Sequence, residues 1–372
     1  MSKTFCLIAA AVAGAAACVS GGDLTAKFLG ANSCASTSCH GGGGAGQNQF
    51  LVWSLKDFHS QRPPATLATA RSKQIADALA IKDPTADARC TVCHAPLASV
   101  PENRRGENFK VCEGVSCESC HRPAENWLRG HARPDWTRAD RAAAGMRDLQ
   151  NLYVRANTCV ACHQNVDADI LKAGHPELIF ELDGQSVAEP KHWRAEKNGN
   201  GAQAWLVGQA VALREMSWQT SREKSPDENL KIRWLALYWL MKSGFSLAES
   251  EAVPVSTAAV GNAPWIQNWS DGRAKYFSGV AWSDEMTRKT LAALAGMRDA
   301  FADKTVAQNL QARRAERLVL ALDRLVAALP ELKNNEPVQT SLDQLFKLAQ
   351  SVPDFDPPQF AAALTKFSTA LQ

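Results

Sequence analysis

Two thiols and an imidazole recur in one fixed order at four places in this chain. They read C-A-S-T-S-C-H from Cys34 to His40, C-T-V-C-H from Cys90 to His94, C-E-S-C-H from Cys117 to His121, and C-V-A-C-H from Cys159 to His163. A thiol pair can form thioether bonds to a porphyrin edge while the adjacent imidazole takes the iron, so each segment carries anchor and ligand together. Structural zinc also uses Cys and His, but it would need C-x2-C pairs converging on shared four-ligand centres, whereas here every pair has its own His. Four covalently attached haem c groups are expected, anchored by Cys34, Cys39, Cys90, Cys93, Cys117, Cys120, Cys159 and Cys162. The first signature is two residues longer than the others, and its extra residues must bulge between the thioethers.

The chain has eight histidines. His40, His94, His121 and His163 are the proximal ligands of the signatures, which leaves His59, His131, His175 and His192. Four irons thus face four remaining imidazoles, an equality that favours bis-histidine coordination throughout. His59 ends Q-F-L-V-W-S-L-K-D-F-H, where Phe50, Trp53 and Phe58 can line one side of a short helix. His131 follows Gly130, which would let the backbone approach a haem edge. His175 lies between the permissive Gly174 and the rigid Pro176. His192, in P-K-H-W, has the fewest constraints and is the first candidate for an idle residue.

The elements that must hold these residues fall into two regions. Residues 1–20 read as a secretory signal, with Lys3 followed by an apolar run of small residues. The periplasm is the expected compartment, with lipid anchoring through Cys18 as the alternative. No other comparable apolar stretch occurs, so an integral membrane protein is not expected. Of eleven cysteines, eight serve haem and Cys6 and Cys18 fall in the leader. Cys112 is left over, and a buried thiol beside a haem is favoured over a catalytic one.

The formal charge of +3 drops by one without Lys3, and four haems bring it to about −2 oxidised and about −6 reduced. With no dense Lys/Arg run, a nucleic-acid partner is not indicated.

Residues 21–200 read as the tetrahaem cytochrome c domain, with helices over 64–82 and 139–156 and porphyrins supplying most of the apolar surface. Beyond 200 the cysteines and histidines cease. Residues 201–372 read as a helical domain, with helices over 202–220, 230–243, 284–302, 305–329, 338–350 and 357–371. Leu318, Leu322, Leu325 and Leu329 form an apolar stripe flanked by Arg313, Arg314, Arg317 and Arg324, and a packed bundle is the simplest account. The fold class is mainly α: a haem-packed multihaem cytochrome c domain with a C-terminal helical bundle. Eight of the eleven tryptophans lie between Trp193 and Trp282, and ordinary core is favoured for them over packing on haem faces.

On its C-x2-C-H motifs, the W-S-L-K-D-F-H segment, C-E-S-C-H-R-P and the G-H-P after the fourth signature, the chain resembles a family of multihaem cytochromes c. These are the cytochromes related to the tetrahaem electron acceptor of hydroxylamine oxidation in nitrifying bacteria. The resemblance spans about residues 33 to 193. It implies closely spaced haems in parallel and perpendicular pairs, with the four signature histidines proximal and the other four distal. The chain departs from that family in its longer first signature and in having enough histidines to saturate every iron, where the family acceptor keeps one five-coordinate.

Electron transfer between redox proteins is the leading function, the donor or acceptor being a membrane-associated quinone oxidoreductase or a multihaem enzyme. The alternative is a multihaem oxidoreductase acting on a small nitrogen or sulfur compound at one open iron, with Lys191, Arg194, Tyr153 or His192 as donors beside it. A third role, docking to a partner oxidoreductase, is open to the C-terminal bundle.

Overall fold

The computed structural model describes residues 25–44, 46–193, 201–223, 226–248, 263–351 and 353–372. The expected leader with Cys6 and Cys18, and Arg194, lie outside them. Among the described residues the chain is helical, with no strand beyond an isolated bridge between Phe28 and Arg105. The N-terminal part carries α1 (Gln49–Lys56), α2 (Phe58–Thr66), α3 (Ala70–Ala78), α4 (Ala88–His94), α5 (Cys117–His121), α6 (Arg138–Ala143), α7 (Leu152–His163), α8 (Ala168–Lys172) and α9 (Leu182–Ala188). After it come α10 (Gly201–Arg222), α11 (Glu228–Ala248), α12 (Ala263–Gly279), α13 (Asp284–Ala295), α14 (Gln308–Ala327), α15 (Pro330–Lys333), α16 (Glu336–Ala349) and α17 (Pro357–Ala370).

The C-terminal helices are long because apolar residues recur at helical spacing and bury one continuous face. Leu318, Leu322, Leu325 and Leu329 are all fully buried, packed with Trp205, Trp234, Phe360 and Phe367. The N-terminal helices are short and stop where their sequence stops them. Asp57 adopts extended backbone and caps α2, accepting from the His59 N–H, so the expected single helix through His59 is two. The stretch 139–156 likewise divides into α6 and α7, the chain turning at Gly145 with φ 100°. The stretch 64–82, expected as one helix, divides between the end of α2 and α3, which starts at Ala70 capped by Thr69 and ends at Ala78.

The large apolar core contains no residue before Leu152. It does extend back across position 200, taking in Ala156 and Val160 of α7 together with Phe180 and Leu182. Polar clamps reinforce that seam. The Tyr153 hydroxyl donates to Asp271 at 2.7 Å, and Arg214 reaches Asp271 at 2.8 Å and Asn157 at 2.6 Å. The helix carrying the fourth signature is therefore pinned to α10 and α12.

Of the arginines flanking the leucine stripe, Arg317 is buried rather than solvated, and it faces Glu181. Burial, with the neighbouring Asp183 charge adding to it, pushes Glu181 up to about 8; burial, with a smaller push from the Asp323 charge, raises Asp183 to about 6. Between the unfolded carboxylate range and about pH 8 the folded chain keeps a proton on Glu181 that the unfolded chain releases. The resulting stability is present at acid pH and is lost as pH rises through 8, at up to about 1.4 kcal/mol per pH unit. Glu181→Gln is expected to flatten this slope by about 2 kcal/mol between pH 5.5 and 7.5, measured by denaturant unfolding at the two pH values. An unchanged slope would assign the titration to other groups.

Candidate haem-binding site

Three of the four signatures lie on helices, where residues three and four apart share a face. Cys90, Cys93 and His94 end α4, Cys117, Cys120 and His121 make up α5, and Cys159, Cys162 and His163 end α7. The longer first signature cannot do this. It follows a single 3-10 turn over Ala31–Cys34 and closes through Cys39 N–H to Ser36 O (2.9 Å) and His40 N–H to Cys34 O (3.3 Å).

Two carboxylates, one buried and one half-buried, fix the first signature against the third. Glu118, inside C-E-S-C-H and 2% exposed, accepts from the backbone N–H of Leu29 (2.9 Å), Gly30 (2.7 Å) and Ala124 (2.7 Å). Glu113 accepts from Ala31 at 3.0 Å. Burial raises the Glu118 carboxyl, and the three donors oppose that shift. The result sets the Cys34 thiol beside Cys117; in the same way Cys93 meets Cys162. Glu118→Ala orphans three backbone donors at about 1–3 kcal/mol each. A loss of at least about 3 kcal/mol in denaturant unfolding is expected, and a loss under about 1 kcal/mol would deny this clamp its role.

The histidines come together in pairs that join a signature to a distant segment. Ring centres of His40 and His131 stand 5.8 Å apart, those of His163 and His59 6.1 Å, and those of His94 and His175 6.5 Å. His121 is half-buried with its Nδ1 enclosed, and burial, followed by the nearby His192, holds it down to about 4, so it is a neutral imidazole at neutral pH. Two imidazoles sharing one metal through bonds of about 2 Å place their ring centres about 6 Å apart, so the three measured gaps admit one metal each.

Most of these rings also have Nδ1 engaged, which leaves Nε2 for a metal. His40 Nδ1 meets Gln49 Oε1 at 2.8 Å, His59 meets Asp57 Oδ1 at 3.1 Å, and His94 meets the Pro63 carbonyl at 2.9 Å. His131 contacts the Leu128 carbonyl at 2.6 Å, His175 that of Pro176 at 2.8 Å, and His192 that of Pro190 at 3.3 Å. At His163 the Gln185 amide nitrogen stands 3.2 Å from Nδ1 while its oxygen is buried without a partner. A half-turn of that amide exchanges the two atoms and gives the Nδ1–H an acceptor. His121 Nδ1 alone has no partner among the described residues.

His59 is placed by a sequence device. Pro63 and Pro64 lie inside α2, and Pro63 has no N–H to offer the His59 carbonyl four residues back. That carbonyl accepts from Val115 instead, at 2.9 Å. The approach needs Gly114, whose φ is 74° and where a Cβ would fall 2.3 Å from the Ser60 carbonyl.

Three local expectations change. Gly130 makes room for Trp136, whose ring a Cβ would meet at 2.1 Å, and not for a haem edge. Cys112 is exposed, beside Trp53, Ser54, Ser60, Pro64 and Glu113, because Glu113 and Gly114 anchor the opposite side of its loop. Phe58 is 56% exposed under Arg62, since Asp57 breaks the helix before it. Leu55, Phe58, Val92 and Val187 are all exposed close to a signature or to one of the remaining histidines, apolar surface of the kind a porphyrin covers.

Residues 33–122 match the family described as cytochrome c554 and c-prime. The match supports a c554-like haem-binding domain over that segment, which holds the first three signatures and His59. His131, His163, His175 and His192 lie beyond it. No curated protein and no solved structure matches the chain. Among the described residues no helix is long and apolar enough to cross a membrane.

Sequence reasoning missed the Nδ1 acceptors Gln49, Asp57 and Gln185 and the Glu118 clamp. Only Glu118, a carboxylate inside an otherwise small-residue signature, left a local trace.

Proposed function

We propose that the chain is a periplasmic tetrahaem c-type cytochrome that passes single electrons between redox partner proteins, with every haem held between two histidines. The observation that carries the reading is the pairing of His40 with His131, His163 with His59 and His94 with His175 at 5.8–6.5 Å, with Nδ1 turned to an acceptor. His121 and His192 are assigned to each other as the fourth pair. The cysteines of each signature would hold the porphyrin edge, and the Nδ1 acceptors would fix each ring's rotation and tautomer.

A haem iron ligated on both sides exchanges single electrons without taking up a small molecule. The polypeptide's part is to keep the rings in place and to set charge around them. The adjacency of Cys34 with Cys117, and of Cys93 with Cys162, would bring the haem edges of two signatures together in each case.

The alternative of catalysis at an open iron finds little support. Of the donors weighed for it, Tyr153 is bound to Asp271 and His192 has its Nδ1 on a backbone carbonyl. Electron paramagnetic resonance of the oxidised protein, with carbon monoxide added to the reduced form, separates the two. Low-spin signals alone and no carbon monoxide binding are expected of the carrier. A high-spin iron that binds carbon monoxide would move the assignment to an oxidoreductase.

A further inference from the structure

The eight histidines do not share one kind of Nδ1 partner. His40, His94, His131 and His175 face neutral oxygens, namely Gln49 Oε1 and the carbonyls of Pro63, Leu128 and Pro176. His59 faces a carboxylate, and His192, whose Nδ1 meets the Pro190 carbonyl at 3.3 Å, has a carboxylate just beyond hydrogen-bond reach. Asp57 Oδ1 stands 3.1 Å from His59 Nδ1, and Glu189 Oε1 stands 3.7 Å from His192 Nδ1. The two carboxylates are not separate features: Asp57, Glu189 and His192 each place a ligand atom within 4.8 Å of the other two. Asp57 is 7% exposed. One acidic pair therefore lies beside two histidines that the proposed function assigns to different haems.

A carboxylate that accepts the Nδ1 proton, as Asp57 does at His59, gives the imidazole anionic character and makes it a stronger donor to iron, which favours the oxidised metal; beside His192, Glu189 favours the oxidised metal through its charge alone. Burial strengthens the effect, since little water screens the charge. Asp57 has a plain structural duty too, as the cap of α2. Asn caps a helix about as well as Asp, so Asp57→Asn removes the charge and keeps the cap.

Resting on the tetrahaem reading, we propose that the Asp57–Glu189 pair is a shared potential-setting element, lowering together the reduction potentials of the His163/His59 and His121/His192 centres. Asp57 and Glu189 are positioning residues here, acting through the distal rings. The gradient they create would bias electron residence toward the two centres whose histidines face neutral acceptors.

The test uses the matured full-length protein. Wild type is first checked for four covalent haems in low-spin form; failure at this point overturns the tetrahaem reading itself, before any potential is compared. Spectroelectrochemical titration of wild type, Asp57→Asn, Asp57→Glu and Glu189→Gln then tests the proposal. In Asp57→Asn and in Glu189→Gln two of the four steps are expected to rise, by at least tenfold in the reduction equilibrium constant in Asp57→Asn, about 59 mV for one electron. Asp57→Glu should stay nearer wild type. The proposal is overturned if no step rises, if all four rise together, or if Asp57→Asn turns an iron high-spin, which would make Asp57 a mechanical prop only. Uptake of one zinc ion per wild-type holoprotein that Glu189→Gln abolishes would also overturn it, by making His192, Asp57 and Glu189 a cation site.

Discussion

His175→Ala is expected to convert one of the four irons to a high-spin form, and the reduced variant to bind one carbon monoxide per chain where the wild type binds none. The ring of His175 is held by short-range contacts alone. Gly174 takes φ 109°, a conformation that suits glycine, the His175 N–H bonds to the Ile170 carbonyl at 3.2 Å, and Nδ1 meets the Pro176 carbonyl at 2.8 Å. These contacts aim the ring at His94, 6.5 Å away. Every other leftover histidine is assigned to a different signature, so no imidazole stands ready to replace it. Added imidazole should restore the low-spin spectrum, because only a ligand has been removed. An unchanged spin state with no carbon monoxide binding would show that His175 lies idle and that the His94 pairing is wrong.

Trp234→Ala should lower stability by about 3–5 kcal/mol, the usual cost of deleting a large buried aromatic side chain. Trp234 is fully buried in α11, stacks on Tyr238 with ring centres 5.6 Å apart, and donates from Nε1 to Ser217 Oγ at 2.9 Å. The Ser217 hydroxyl still has the Leu213 carbonyl at 2.7 Å, so the cost is mainly the cavity and the lost contacts. In a chain of this size the melting temperature is expected to fall by about 4–6 °C, followed by far-ultraviolet circular dichroism. Trp265→Ala, at a residue 48% exposed, should change stability by no more than about 0.5 kcal/mol. A fall of under about 2 °C in Trp234→Ala would mean that this core tolerates a void of that size.

The contrast between these two residues also separates what was legible in the sequence from what was not. The Leu318 to Leu329 stripe and the boundaries of α10, α14 and α17 follow from apolar periodicity, a local property. Helix α12 is absent from the sequence reading because Pro264 reads as a break, whereas it occupies the first turn, where its missing N–H costs nothing. The signatures were legible because anchor and ligand share one turn of chain. The pairing of rings was not, since His40 and His131 meet only after Glu118 and Glu113 have joined segments far apart in sequence. The Nδ1 acceptors are still less visible: a Gln or a proline carbonyl acquires that meaning only from where the backbone places it. Tyr153 illustrates the converse, a residue weighed as a catalytic donor that in the fold ties α7 to Asp271.

The seam across position 200 bears on how the two halves can be studied. Because α7 contributes Ala156 and Val160 to the large core, cutting the chain after residue 200 would expose one side of the helix that carries the fourth signature. Substitutions in the intact chain are the cleaner probe of any docking role of the C-terminal helices.

The central claim is that four signatures carry four haems, and intact-mass spectrometry of protein matured in a periplasm tests it most directly. The expected mass is that of the processed chain plus four haem groups, falling by one group when Cys159 and Cys162 are both replaced by serine. A wild-type mass carrying three groups or fewer, or zinc in place of haem, would contradict it.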